Sequence, residues 1–212
     1  MPTAFLFDLD GVIIDSMPLH IRAWEVYLER HQISPAELRG RMLGKHNPEL
    51  VRFFWGEHLG EAEVVAHGQA KEALYREMMT PVFEEYVVPG AVEFIRSSPQ
   101  PKAIGSNAEI PNIEFTIRRA GIADAFQTVV SGDHVERAKP HPDVYLKAAS
   151  LLGRRPDECI VFEDSPTGVT AARAAGMRVV GVDTGRVGLE NVDVRVSDFT
   201  DPALRPWLEA NV

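Results

Sequence analysis

Two aspartates near the amino terminus, Asp8 and Asp10, follow an apolar run and directly precede Gly11. A buried strand that ends at two carboxylates puts charge where parallel sheets bind ligands. Alternation along a strand predicts that both side chains point to one side. Two carboxylates at such a short distance repel each other unless a cation or a proton lies between them. The pair therefore indicates a divalent metal site, an acid and a base with separate tasks, or both. A plain Asp-Gly turn is the alternative.

Three further polar groups follow apolar runs along the chain. Ser106 and Asn107 come after Ala-Ile-Gly, and a hydroxyl with the N–H groups of a helix start suits a phosphate oxygen, although such residues also cap many helices. Lys139 precedes a proline, which restricts the lysine to an extended conformation and allows its ammonium group to project into a cleft. The adjacent acids Glu163 and Asp164 end a third run. With the first two aspartates they supply the oxygen ligands that Mg²⁺ prefers.

The elements that must position these groups alternate along most of the chain. Short β-rich runs are followed by helical patterns, and each helical pattern ends near a glycine or a proline. This order predicts an α/β fold, a doubly wound parallel sheet covered by helices on both faces. The predicted strands are 3–8, 102–105, 127–130, 158–162, 178–182 and 193–196, and the predicted helices are 90–98, 109–120, 142–152 and 166–175.

Residues 16–83 interrupt this alternation. They contain no convincing strand, and apolar residues such as Leu74 and Met78 recur at helical spacing. Several helices in succession after the first strand predict a separate helical domain. The expected organisation is an α/β core formed by 1–15 and 84–212, with the helical domain 16–83 inserted.

The composition excludes some classes of partner. The 212 residues carry a net charge of −9, whereas nucleic acids and anionic membranes require a basic surface. A small anionic substrate is still compatible with a locally positive site. The single cysteine, Cys159, cannot form an internal disulfide and favours a reducing compartment. No run is long enough to span a membrane, and no signal-peptide pattern opens the chain. A cytoplasmic protein is expected.

In this order and spacing, the four polar groups resemble the motifs of the haloacid dehalogenase superfamily of phosphotransferases. The resemblance rests on the Asp-Leu-Asp-Gly-Val run that begins at Asp8, on Ser106, on Lys139, and on the acidic pair Glu163-Asp164. It covers essentially the whole chain, because the helical insertion matches the cap domain of one subgroup, which includes relatives of β-phosphoglucomutase and phosphoglycolate phosphatase. Each motif alone is modest evidence, but four in sequence are specific.

The resemblance implies a mechanism for the first aspartate pair. Asp8 is expected to attack phosphorus and to form an aspartyl-phosphate. Asp10 is expected to protonate the leaving oxygen and then to activate the next acceptor as a base. An acid at this second position favours phosphoryl transfer, because the dehalogenases of the superfamily generally lack it and the phosphonate hydrolases typically carry a small residue there.

The resemblance also implies a Mg²⁺ cofactor. Asp8, the backbone carbonyl of Asp10, and Asp164 are its expected ligands, with Glu163 in support or reaching it through water. A carboxylate cannot approach an anionic phosphate unless positive charge offsets the repulsion, and the ion together with Lys139 supplies that charge. The expected ligands of the phosphoryl oxygens are Ser106, Asn107 and Lys139.

Two residues of the insertion suggest a sugar substrate. His20 stands in a His-X-Arg-Ala-Trp pattern that is similar to the hexose-phosphate mutase branch, and we expect it near Asp10. Lys71 matches a cap position that is often basic in the family, from which it would contact the far end of the substrate. A half-buried histidine and a solvent-exposed lysine are the plain alternatives for these two positions.

The acceptor of the phosphoryl group separates a phosphatase from a mutase. The mutase branch of the family that this chain resembles carries an arginine in the cap to bind the second phosphate. Asn47 falls at that position, with Lys45 as the nearest replacement. Glu109 stands where mutases often carry a basic residue. We therefore expect a phosphatase acting on a small phosphorylated metabolite, such as a sugar phosphate, and the resemblance to the family implies a monomer. A sugar phosphomutase is the alternative, and a non-catalytic phosphate- or metal-binding regulator is a third class.

Overall fold

The structure of the protein is a computed structural model whose chain divides into two compact units. The core unit consists of Met1–Asp15 and Tyr86–Val212, and the helical unit is Ser16–Glu85. The second boundary therefore lies two residues beyond the one that the sequence suggested. The residues that the structure describes are 3–42, 46–185 and 188–212.

The core unit contains a six-stranded sheet in the order β3-β2-β1-β4-β5-β6. Every neighbouring pair of strands is parallel, which confirms the predicted doubly wound α/β fold. Each predicted strand is present with ends that differ by no more than one residue. The strands are β1 Ala4–Phe7, β2 Lys102–Ser106, β3 Thr128–Ser131, β4 Cys159–Glu163, β5 Arg178–Val182 and β6 Val194–Val196.

Both faces of the central strand β1 are buried, as expected for a parallel sheet with helices on each side. Ala4 and Leu6 face one side and join an aliphatic cluster. Phe5 and Phe7 alternate to the other side, where Phe7 stacks on Phe162 of β4 with ring centres 4.7 Å apart. This double burial explains why β1 reads as one continuous apolar run.

Helices connect the strands of the core unit and cover the sheet. Four of them correspond to the predicted helices, shortened by one or two residues at their ends. A further helix follows β6 at the end of the chain. The helices are α6 Ala91–Ser97, α7 Ile110–Arg119, α8 Asp143–Leu151, α9 Pro166–Ala174 and α10 Leu204–Asn211, with 3₁₀ turns at Ala123–Ala125, Gly132–His134 and Pro156–Glu158.

The helical unit has its own hydrophobic core. Trp24 and Leu28 of its first helix pack with Leu50, Val51 and further apolar side chains. None of the helices in the described part of the chain is long and apolar enough to cross a membrane. The helices are α1 Met17–Arg30, α2 Leu38–Arg41, α3 Asn47–Trp55, α4 Glu61–Met79 and α5 Phe83–Tyr86, with a 3₁₀ turn at Thr80–Val82; the last residue of α5 already belongs to the core unit.

Three neighbouring strands bring the predicted site residues to one edge of the sheet. Strand β1 lies between β2 and β4, and Phe7 at its end is in register with Ile104 and Phe162. Because parallel strands end at the same edge, residues that follow them converge there. Asp8 comes directly after β1, Ser106 ends β2, and Glu163 ends β4.

Candidate active site

Asp8 lies at the centre of the candidate site. Its backbone N–H donates to the carbonyl oxygen of Phe162, 3.0 Å away, which continues the β1–β4 pairing by one residue. The side chain is buried, and its Oδ1 lies 3.0 Å from Nζ of Lys139. The side chain of Ser106 is hydrogen-bonded to the same carboxyl group and acts to lower its pKa. Three residues predicted from separate motifs therefore meet here.

Lys139 is held at both its ammonium group and its backbone. Its Nζ lies 3.0 Å from Asp8 Oδ1 and 2.7 Å from Glu163 Oε1. Burial alone would lower the pKa of this lysine, but the two carboxylates outweigh burial and raise it, so the ammonium stays charged. The backbone N–H of Lys139 donates to Asn107 Oδ1 over 3.1 Å. The side chain of Asn107, predicted to bind phosphate, thus lies against the loop that carries the lysine.

Glu163 has no exposed surface and accepts hydrogen bonds at both oxygens. Oε1 receives Lys139 Nζ and the Tyr145 hydroxyl, each at 2.7 Å. Oε2 receives the backbone N–H and the hydroxyl of Ser165 at 3.1 and 3.0 Å. These bonds occupy the acceptor positions that a carboxylate offers. Glu163 is therefore better arranged to hold the ammonium group of Lys139 than to bind a metal ion directly.

Sequence reasoning missed Tyr145 and Ser165. Burial raises the pKa of the Tyr145 hydroxyl well above 10, and Glu163 raises it further. The hydroxyl therefore stays protonated and acts as a hydrogen-bond donor. One signal in the sequence was available: Tyr145 falls among the apolar positions of α8 that face the sheet, and a buried tyrosine hydroxyl needs a partner. That partner is Glu163, which lies 18 positions further along the chain.

The carboxylates at the edge of the sheet fit a divalent cation. Oxygen atoms of Asp8, Glu163 and Asp164 all lie within 4.8 Å of one another. Burial raises the pKa of Asp8 from 3.8 to about 7, with opposition from Lys139. Burial and then Glu163 raise the pKa of Asp164 from 3.8 to about 9, and Asp10 adds to both shifts. Such a cluster holds protons unless a cation replaces them, and its all-oxygen donors suit Mg²⁺.

Two glycines allow the acids to come this close. Gly11 has φ of +78°, and a Cβ there would lie 1.9 Å from Asp164 Oδ2. A Cβ on Gly168 in α9 would lie 1.7 Å from Glu163 Oε1. Any larger residue at these two positions would displace a carboxylate, so the glycines belong to the construction of the site.

The predicted residues of the helical unit form a second polar cluster. Lys71 is buried, not exposed, and its Nζ lies 2.9 Å from His20 Nδ1 and 2.7 Å from Glu72 Oε1. Asn47, at the position of the mutase arginine, donates to the same Oε1 over 2.7 Å. Burial, and then the charge of Lys71, lower the pKa of His20 to about 3, so this imidazole is neutral at pH 7. Lys45 lies outside the described residues.

A model of one protein family matches most of the chain. Its description is "haloacid dehalogenase-like hydrolase", and the match extends over residues 2–176. The chain belongs to the haloacid dehalogenase-like hydrolases. The family, the fold and the class of enzyme predicted from the sequence are thereby confirmed.

Relatives of this haloacid dehalogenase-like hydrolase include both phosphatases and mutases. The chain is 35% identical over 185 residues to Hexitol phosphatase A of Escherichia coli, with 84% of this chain and 82% of that protein covered. It is 29% identical over 208 residues to Beta-phosphoglucomutase of Bacillus subtilis, with 93% and 91% covered. The crystal structure of β-phosphoglucomutase from Clostridium difficile superposes with a TM-score of 0.82 at 24% identity, covering 100% and 97% of the two chains. That likeness shows the fold.

The raised pKa values of this hydrolase predict a stabilising effect of Mg²⁺ that grows with pH. In the metal-free protein, Asp8 and Asp164 keep their protons to about pH 7 and about pH 9, whereas in the unfolded chain they lose them near pH 4. The folded state therefore binds more protons across this window, and these two groups reduce stability as pH rises. Mg²⁺ competes with those protons, so the increase in melting temperature should be larger at about pH 8.5 than at about pH 6.

Thermal denaturation with and without Mg²⁺ at the two pH values measures this effect. Asp164→Asn should lose most of the shift, whereas Asp157→Asn, at an exposed acid paired with Arg155, should keep it. A shift that is equal at both pH values, or that survives Asp164→Asn, would show that the acidic cluster does not bind the ion.

Proposed function

We propose that this hydrolase is a Mg²⁺-dependent phosphatase that acts on a small phosphate ester of a sugar or a sugar alcohol. The observation that carries the proposal is the position of Asp8, a buried carboxylate 3.0 Å from a charged lysine and next to further acids. A nucleophilic carboxylate beside fixed positive charge is what attack on an anionic phosphate requires. The hexitol phosphatase relative supports the substrate class.

The proposed reaction has two steps. In the first, a carboxylate oxygen of Asp8 attacks phosphorus, the ester P–O bond breaks, and Asp10 gives its proton to the leaving alcohol oxygen. In the second, Asp10 takes a proton from water, the water oxygen attacks phosphorus, and the bond between Asp8 and phosphorus breaks. Inorganic phosphate and the original carboxylate result. Lys139, Ser106 and Asn107 are proposed to hold the phosphoryl oxygens during both steps.

The proposed ligands of Mg²⁺ are Asp8, the backbone carbonyl of Asp10, and Asp164, with Glu163 in support. When bound, the ion would offset the negative charge of the phosphoryl group and of the surrounding carboxylates. The protein's own contribution is to keep the acids close together in a buried position and to add the ammonium group of Lys139. The assignments of His20, Lys45 and Lys71 to substrate binding stay predictions.

A sugar phosphomutase is the second candidate, favoured by the similarity to β-phosphoglucomutase. Its bisphosphate intermediate requires two cationic sites. Asn47 occupies the position of the mutase arginine, and its amide donates to Glu72; Glu72 also accepts from Lys71. Asn47 is neutral, and Glu72 balances the charge of Lys71, so these residues do not supply the second cationic site. This supports transfer of the phosphoryl group to water more than transfer to a sugar phosphate.

A panel of phosphate esters with Mg²⁺ tests this proposal. Hexitol phosphates, hexose 1-phosphates and hexose 6-phosphates are incubated with the protein, one arm receiving a trace of hexose bisphosphate and one arm receiving a chelator. We expect free phosphate from at least one sugar or hexitol ester, lost on chelation. An isomerised sugar phosphate without free phosphate would indicate the mutase. Failure on the whole panel would favour the non-catalytic regulator.

The setting of this activity rests on the sequence alone. A monomeric state, a cytoplasmic location and the lack of a nucleic-acid or membrane partner stay predictions. Cys159 is buried with a free thiol, and burial raises its pKa to about 11, which favours a structural thiol over a nucleophile. Sedimentation of the purified protein would measure the oligomeric state directly.

A further inference from the structure

We propose that Tyr145 is a positioning residue of the active site, which acts through Glu163 to set how firmly Lys139 is held. The ammonium group of that lysine is then shared between Glu163 and the phosphoryl group that the site receives. This inference rests on the proposed function, because it concerns the same site. It adds a residue that neither the sequence motifs nor the resemblance assigned.

The geometry links the three side chains at one oxygen atom. Glu163 Oε1 accepts both the Tyr145 hydroxyl and Lys139 Nζ, each over 2.7 Å. Nζ also lies 4.7 Å from the centre of the Tyr145 ring, so the phenol contacts both members of the ion pair. A hydrogen bond from the hydroxyl withdraws negative charge from the oxygen that Lys139 shares. The lysine is thereby held less tightly by Glu163, and its ammonium can serve Asp8 and a phosphoryl oxygen.

The surroundings of the phenol fix its position. The Tyr145 ring packs against Gly105, which directly precedes Ser106 in β2. The ring fits there because the glycine has no side chain, since a Cβ would lie 3.0 Å from Tyr145 Cδ1 and Cε1. Gly168 gives the same room to Glu163 Oε1. A phenylalanine would fill the same volume as Tyr145, but it would leave a carboxylate with no solvent exposure short of one donor. Packing alone therefore does not require the hydroxyl.

Tyr145→Phe tests the inference because it keeps the ring and removes only the hydroxyl. Without that donor, the charge of Glu163 acts more strongly on Lys139 and draws it away from the phosphoryl position. We expect kcat/KM with Mg²⁺ to fall about 10- to 100-fold, the usual effect of losing a supporting hydrogen bond around such a site. Affinity for inorganic phosphate, measured by calorimetry, should weaken by about tenfold. The matched control is Tyr27→Phe in the helical unit, where the hydroxyl is hydrogen-bonded to His67; it should leave both quantities within about twofold.

A double-mutant cycle tests the route through Glu163. If Tyr145 acts through that carboxylate, Tyr145→Phe should add little to the effect of Glu163→Gln, so the two changes are not additive. Full additivity would overturn the inference, as would a folded Tyr145→Phe protein with unchanged kcat/KM and phosphate affinity. Circular dichroism establishes folding; should that variant not fold, Ser165→Ala, which removes a donor from Oε2, takes its place with the same expected direction.

The phosphate-binding measurement separates this inference from the proposed function. A wild-type protein that binds inorganic phosphate but hydrolyses no ester would overturn the proposed phosphatase and leave the role of Tyr145 in holding phosphate to be read from calorimetry. A wild-type protein that hydrolyses esters, with a Tyr145→Phe variant of equal phosphate affinity and equal kcat/KM, would overturn the inference alone.

Discussion

Replacing Asp8 with asparagine is expected to lower the rate of phosphate release by at least about 10⁴-fold, the scale seen when an enzyme's nucleophile is removed. The amide is nearly the same size, so it leaves the packing at the end of β1 intact, but it cannot form the acyl-phosphate bond. The substitution also removes one acid from a cluster in which burial has raised the pKa of Asp8 and Asp164. Folding of the metal-free variant should therefore not be impaired.

Release of phosphate from an aryl phosphate, measured with Mg²⁺ at saturating ester, gives the comparison. Asp157→Asn serves as the control because that acid is exposed, pairs with its near neighbour Arg155, and lies outside the site. It should retain the wild-type rate. Wild-type activity in pure Asp8→Asn protein would contradict the assignment of the nucleophile, and equal losses in both variants would point to an effect unrelated to the site.

Lys139→Met should impair both activity and stability. The activity loss, about 10²- to 10³-fold, follows from removing the protein's cation at the phosphoryl position. The free energy of unfolding should fall by about 3 kcal/mol, because removing one partner leaves the buried carboxylates of Asp8 and Glu163 without their common cation. Lys139 opposes the rise in the pKa of Asp8, so without the lysine that pKa rises further, and the lost stability should partly return as pH falls and Asp8 becomes protonated.

Urea denaturation and phosphate release measure the two effects on the same preparations. Lys147→Met is the matched control, since this lysine lies in α8 with an exposed side chain and donates to the backbone carbonyl oxygen of His134, away from the acids of the site. It should change stability by no more than about 0.5 kcal/mol. A Lys139→Met protein of unchanged stability and activity would show that the lysine neither balances the acids nor binds phosphate.

The positions of the main site residues could be predicted because each follows from a local pattern. Asp8, Ser106 and Glu163 come at or just after apolar runs that end at polar residues, and runs of this kind locate strand ends within a residue. Parallel strands place those ends at one edge of the sheet. We could therefore expect these residues to converge without knowing the order of the strands in detail.

The pairing of side chains could not be predicted because it depends on distances between elements far apart in sequence. The Tyr145 hydroxyl and Lys139 Nζ meet on one oxygen of Glu163, and the side chain of Asn107 accepts from the backbone of Lys139, 32 residues away. Lys71, a lysine in the middle of a helix, is buried only because Glu72 and its neighbours compensate its charge. Periodicity indicates which face of a helix is apolar, but it does not identify a polar partner.

The most direct test of the central claim is chemical trapping of the phosphoryl group on Asp8. The protein is mixed with Mg²⁺ and the best ester of the panel, quenched in acid during turnover, and reduced with borohydride, which converts an aspartyl-phosphate to homoserine. Peptide mass spectrometry then reads residue 8. We predict homoserine at position 8 only in samples that received the ester, and none in Asp8→Asn. Turnover without modification at position 8, or modification at another acid, would contradict the mechanism.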